Sequence, residues 1–222
     1  MNPKHAAVVI LISGRGSNLQ AVIDQVRAGA LPIELSAVIS NHPRAQGLKR
    51  AREAGIPTHV VDDREFKTNA EFEHALMQCI DACRPRLVAL AGFMRVLSND
   101  FVDHYAGRLI NIHPSLLPRF RGLNTHERVL QNGATQHGAS VHFVTREVDA
   151  GPVIVQAAVP VHPDDTPETL AMRVLKEEHR IYPLAIRWFA EGRLTVRDGQ
   201  VRLDGKQRPE QGLLILPEGG EA

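Results

Sequence analysis

Three side-chain types in this 222-residue chain are spaced in a way that could do acyl-type chemistry. The run Asn111-Ile112-His113-Pro114-Ser115-Leu116-Leu117-Pro118 is the first. Alternate residues of a strand share a face, so Asn111 and His113 point one way and Ile112 the other. Pro114 removes a ladder donor and pushes His113 toward extended geometry. A primary amide beside an imidazole can donate to an oxyanion and move or stabilise charge. The plain alternative is two polar residues satisfied by loop backbone. Asp149-Ala150-Gly151-Pro152 is the second run. Its aspartate reads either as a turn residue bonding its own backbone or as a carboxylate that orients His113 and raises its pKa. His142, within Ser140-Val141-His142, is a cleft residue or simply a strand histidine.

A different chemistry is suggested by Ser13-Gly14-Arg15-Gly16-Ser17-Asn18. It follows an apolar strand-like run and opens a helix. Glycines let backbone approach an anion closely, and free amides at a helix start can hold a phosphate. A dinucleotide fingerprint would want glycine at Leu19 and an acid where Ser40-Asn41 stands, and a Walker loop would want Gly-Lys-Ser/Thr; neither is present. The bland alternative is a tight turn with Ser17 as helix cap.

These groups need a scaffold, and strand and helix signals alternate to supply one. Ala6–Ile12, Ile33–Ser40, Thr58–Val61, Leu87–Ala91 and Leu109–His113 read as strands. Helices are expected at Ser17–Ala28, at Ala45–Ala54 before Gly55, from the Thr68 cap to about Cys83, and at Thr125–Asn132 before Gly133. Ala139–Thr145 and Val153–Val161 read as adjacent strands of the kind that pair antiparallel. Thr166 caps a long helix toward Ala190, and Thr195–Leu203 is a hairpin turning at Asp198-Gly199. The pattern predicts one α/β domain over 1–207, a mostly parallel twisted sheet with helices on both faces. Ligands in such folds bind beyond the carboxyl ends of the strands, where all three constellations fall. Residues 208–222, rich in Pro, Gly and Glu, are expected to be a loose tail.

Lys and Arg total 26 against 25 Asp and Glu. Balanced charge gives no reason to expect a nucleic-acid or membrane partner, and no apolar run is long enough to cross a bilayer. Two cysteines four apart in a helix, Cys79 and Cys83, read as packed thiols rather than metal ligands, and so few fit a reducing cytoplasm. A cytoplasmic enzyme of small molecules is expected, as a monomer or weak homodimer.

The five segments Leu11–Asn18, Leu90–Arg95, Asn111–Pro118, Ser140–Val144 and Asp149–Pro152 together resemble the folate-dependent formyltransferases, over about Val8 to Arg193. The Gly-Ser-Asn loop narrows the resemblance to the branch acting on glycinamide ribonucleotide in purine synthesis. The resemblance implies a Rossmann-like fold and a formyl group passed from 10-formyltetrahydrofolate, a co-substrate, to the glycinamide amine, with no metal. It implies that Asn111, His113 and Asp149 carry the chemistry and that Gly16, Ser17 and Asn18 hold the phosphate. Glu178 would meet the ribose or glycinamide portion. Met94, Arg95, Val96 and Leu97 would line the pterin pocket with Asn111. Asn69 stands where relatives often have an arginine for the acidic folate tail, and Asn124 where many have a histidine. Three other activities fit the same segments less well. A formyltetrahydrofolate hydrolase would be expected to add an N-terminal domain, whereas Val8 already lies in the first strand. A methionyl-tRNA formyltransferase would add a C-terminal domain and a basic face. A non-catalytic nucleotide-binding protein has no need of Asn111, His113 and Asp149 together.

Overall fold

A computed structural model describes residues 5–207 and 213–215. β1 (Ala6–Ile12) alternates its side chains between two apolar layers. Val8, Ile10 and Ile12 enter one core, and Val9 and Leu11 the other. That is why the run is apolar at every position: a strand covered on both faces has no polar side. β2 (Ile33–Ser40), β3 (Thr58–Val60), β4 (Leu87–Leu90), β5 (Leu109–His113), β6 (Gln136–Phe143), β7 (Val153–Pro160) and β11 (Leu213–Ile215) join it in the order β11-β7-β6-β5-β4-β1-β2-β3. The pairs from β3 through β5 are parallel, as is β11 with β7. β6 is antiparallel to both β5 and β7. The mostly parallel sheet is as the sequence implies.

Helices close both faces. α1 (Ser17–Arg27), α2 (Gln46–Glu53), α5 (Thr125–Gln131) and α6 (Pro167–Ala190) cover the layer that holds Val8. α3 (Asn69–Ala82) and α4 (Asn99–His104) cover the other through Phe72, Leu76, Ile80, Phe101 and Tyr105. Thr68 and Thr166 each form a reciprocal capping box with the residue three further on, which satisfies two orphan amides per helix. Fully buried Tyr182 of α6 donates its hydroxyl to the Leu90 carbonyl at 2.8 Å, tying that helix to the end of β4.

Chain direction changes at β1. The chain runs from β1 outward through β2 and β3 on one side, then returns to place β4 and β5 on the other. A crevice at the carboxyl ends of β1 and β4 follows from that switch.

β8 (Leu194–Arg197) and β9 (Gln200–Leu203) form the expected hairpin, with Asp198 and Gly199 both at positive φ, and β10 (Lys206–Gln207) adds a third strand. The loose tail expected over 208–222 lies largely outside the described residues. Within it, Leu213–Ile215 instead pairs with β7, because three consecutive β-prone residues can satisfy an open sheet edge.

Candidate active site

β5 ends in the histidine, and its neighbour β6 completes the wall. Asn111 lies opposite His142 and His113 opposite Ser140. His113 is 6% exposed. Its Nε2 lies 3.0 Å from the Phe120 carbonyl oxygen and its Nδ1 3.3 Å from Asp149 Oδ2. Asp149 sits at φ 50, a left-handed turn conformation that aspartate tolerates. It is thus a turn residue and a partner of His113 at once. Gly151 follows because a Cβ there would come within 1.8 Å of the Phe143 carbonyl oxygen.

His142 is the residue whose weight sequence reasoning undervalued. Its Nδ1 lies 2.9 Å from the Phe143 carbonyl oxygen. Its Nε2 lies 3.3 Å from Asn111 Nδ2 and 3.5 Å from Asp149 Oδ1. Asp149 therefore bridges two histidines and also accepts the Gly122 amide at 3.0 Å. Burial opposes its charge, but the His142 contact, the His113 field and the Gly122 amide outweigh that and hold its pKa at about 2. It is ionised at neutral pH.

The expectation that His113 has a raised pKa is corrected. Burial outweighs the opposing pull of the Phe120 carbonyl and the Asp149 carboxylate, and its pKa is lowered. Sequence shows the carboxylate but not how completely the imidazole is shut from water. A second pair stands behind it: His137 Nε2 lies 3.0 Å from His126 Nδ1, and burial with the His126 field takes His137 down to about 3.

In front of these groups is a cleft of about 650 Å³. Met94–Leu97 forms one wall, and Asn111, His113, His142 and Asp149 stand at the other. Met94, Val96, Leu123 and Val148 expose apolar side chains at its rim, 51% to 78% accessible. A flat apolar ligand with a few polar edges suits such a cleft. Asn69 does not line it. Its Oδ1 accepts from Arg95 Nη2 at 2.7 Å, and its Nδ2 donates to Glu73 Oε1 at 2.8 Å. Buried Glu73 also takes the Ser98 amide and hydroxyl, so it anchors the end of the Met94–Leu97 wall. Sequence gave no signal for this role, which depends on a helix and a loop meeting. Asn124 is in the cleft wall at φ 55.

The phosphate-type loop lies one strand beyond β4. Gly16 is at φ 69 and caps α1 without a side-chain bond, so the alternative of Ser17 as cap is not what forms. The first helical bond runs from Gln20 N to Gly16 O at 3.0 Å, which leaves the amides of Ser17, Asn18 and Leu19 without an intrahelical acceptor. Asn18 donates to Glu178 Oε2 at 2.6 Å across to α6. Glu178 is buried, and that burial raises its pKa against the Asn18 bond. Among the described residues no group of His, Cys, Asp and Glu is arranged to hold a metal.

Known proteins resemble this chain in both sequence and fold. The model of the formyl transferase family matches residues 6–186. The chain belongs to the formyl transferase family. It is 52% identical over 205 residues to the phosphoribosylglycinamide formyltransferase of Escherichia coli strain K12, covering 92% of this chain and 97% of that protein. The structure of the Coxiella burnetii phosphoribosylglycinamide formyltransferase in complex with CHES superposes with a TM-score of 0.91 at 54% identity, covering 95% of this chain and 99% of that one. A formyltetrahydrofolate deformylase from Pseudomonas putida KT2440 has the same fold at a TM-score of 0.81 but is 29% identical, covering 91% of this chain and 72% of its own. Membership implies a folate-type formyl donor and small-molecule substrates. No helix among the described residues is long and apolar enough to cross a membrane.

Proposed function

We propose that this protein transfers the formyl group of 10-formyltetrahydrofolate to the amine of glycinamide ribonucleotide, a step of purine biosynthesis in the cytoplasm. The observation that carries the reading is the placement of an ionised Asp149 against His113 at the end of an apolar cleft, in a chain 52% identical to a phosphoribosylglycinamide formyltransferase.

The neutral amine is the nucleophile, so no serine or cysteine is required. Its lone pair forms a bond to the formyl carbon, and the carbonyl electron pair moves to oxygen. Asn111 Nδ2–H and His113 Nε2–H donate to that oxyanion, and each well-placed donor lowers the barrier by about 3 kcal/mol. The Phe120 carbonyl now takes the bond from His113 Nε2, so an oxyanion there would substitute for one oxygen acceptor by another. The negative charge of the intermediate adds to that of Asp149 and favours the imidazolium that burial suppresses in the free protein. Collapse breaks the carbon bond to the folate nitrogen. The proton lost by the amine reaches that nitrogen through water near Asp149. Gly16, Ser17 and Asn18 offer amides to the nucleotide phosphate, and Glu178 meets the ribose or glycinamide portion. Met94, Arg95, Val96 and Leu97 take the pterin, partly through backbone groups. No metal enters the reaction, and the protein works as a monomer or weak homodimer.

The test is turnover with 10-formyltetrahydrofolate, with and without glycinamide ribonucleotide. Formation of tetrahydrofolate that requires the nucleotide supports the reading. Equal release of formate without it would make the protein a hydrolase, and comparable formylation of initiator tRNA would place it with the tRNA enzymes.

A further inference from the structure

A chain of hydrogen bonds joins the loop that begins the phosphate site to the wall of the cleft. Ser13, the residue after β1, donates its hydroxyl to Asn41 Oδ1 at 2.6 Å and accepts the Met94 amide at 2.8 Å. Its own amide donates to the Gly92 carbonyl at 3.1 Å. Asn41, just past β2 and 7% exposed, uses the other half of its amide to donate to Asp63 Oδ2 at 3.3 Å. The same Asp63 oxygen lies 3.3 Å from Arg95 Nη1. Arg95 then reaches Asn69, and Asn69 reaches Glu73, which holds Ser98. Met94, Arg95 and Ser98 are thus each fastened, and two of the three fastenings begin at the loop Ser13–Asn18.

These bonds are costly to leave unmade. A buried amide is destabilised when it loses a partner, so Asn41 keeps its bonds to Ser13 and Asp63 together and moves with them. Its acceptor oxygen fixes the Ser13 hydroxyl hydrogen, which leaves the Ser13 lone pairs facing the Met94 amide. Ordering the loop at one end removes freedom at the other, and a ligand that binds second then loses less entropy.

We propose that Ser13, Asn41 and Asp63 are positioning residues that couple the two substrate subsites. A phosphate held at Gly16–Asn18 fixes Ser13, and through Asn41 and Asp63 it fixes Met94 and Arg95 in the geometry that receives the folate. None of the three touches the reacting atoms. The inference rests on the assignment of the two subsites made under Proposed function.

Tetrahydrofolate lacks the formyl group, so it and glycinamide ribonucleotide can be bound together without reaction. Calorimetric titration of tetrahydrofolate into the wild-type protein should give a Kd about fivefold lower or better when the nucleotide is present. In Ser13→Ala and Asn41→Ala that ratio should fall toward one. The folate KM should rise severalfold while kcat at saturation stays within about twofold, the pattern of lost ground-state binding. Ser13→Thr keeps the hydroxyl and should keep the ratio, and Ser13→Ala alone decides where Asn41→Ala fails to fold. A ratio of one in the wild type, or a ratio unchanged in both alanine variants, overturns the coupling. Failure of the wild type to bind either ligand overturns the subsite assignment itself, and the coupling with it.

Discussion

The phosphate-type loop and the β5–β6 cleft sit on neighbouring strand ends but are built on different principles. The loop is made of backbone. Gly16 lies against Gly47 of α2, and a Cβ on Gly16 would fall 2.7 Å from the Gly47 Cα. Gly47 N in turn donates to Gly14 O at 3.1 Å. The cleft is made of side-chain charge. Asp149 meets His113 and His142, and Asn111 meets His142; the two histidines are buried, and the aspartate and asparagine are half-buried. In a site built from backbone, substitution is felt first by the fold. In a site built from charge, it is felt first by the chemistry.

That contrast predicts where each kind of change will register. The largest effect should follow Asp149→Asn, which nearly keeps the shape and removes the charge. With no carboxylate to favour the imidazolium, kcat should fall by about a thousandfold, some 4 kcal/mol of barrier. Both substrates should still bind, which steady-state KM values and direct titration would check. If substrate affinities fell as far as kcat, the cleft would be a binding site whose charges hold its shape.

Gly16→Val should act on the fold. The sequence alone suggests that a Cβ there would obstruct the anion, but the atom it meets is Gly47 Cα, at a backbone angle valine resists. Chemical denaturation should show about 2–4 kcal/mol of lost stability. A variant of wild-type stability with only a weakened nucleotide affinity would return Gly16 to the role of an anion contact alone.

Acid should act through the buried histidines. The folded pKa values of His113, His126 and His137 are all lowered, first by burial. The unfolded chain therefore binds protons that the folded one refuses below the free histidine value of about 6.5. Stability from these groups is complete above that pH and is lost as pH falls toward the folded values. Asp149 contributes in the same direction only below its unfolded value of about 4. Tm should decline on going from pH 7 to 5. A flat profile there would mean that the three imidazoles are open to water. The smallest change expected is in Asn69→Arg, since the residue is exposed and bridges Arg95 and Glu73 rather than lining the cleft. Folate affinity at low salt should shift by about 0–1 kcal/mol. A larger gain would put the acidic tail directly over this helix start.

Much of this was legible in the residues. The doubly covered β1, the capping threonines at 68 and 166, and the Asp198-Gly199 turn carry local physics that tertiary structure does not overturn. So does the reach of Asn111 and His113 to one face. Short α4 was not legible, because six residues carry too little periodicity to mark a helix. The placing of β6 beside β5, which puts His142 opposite Asn111, is a tertiary choice with no local signature. The lowered pKa of His113 belongs to the same class, since it depends on what covers the ring.

The most direct test of the account is a double-mutant cycle on Asp149→Asn and His113→Asn, read as kcat/KM for formyl transfer to glycinamide ribonucleotide. Residues that act as a unit give strongly non-additive losses. The double variant should therefore be only slightly worse than either single one. Strictly additive losses would contradict the account and leave Asp149 as a turn residue beside an independent histidine.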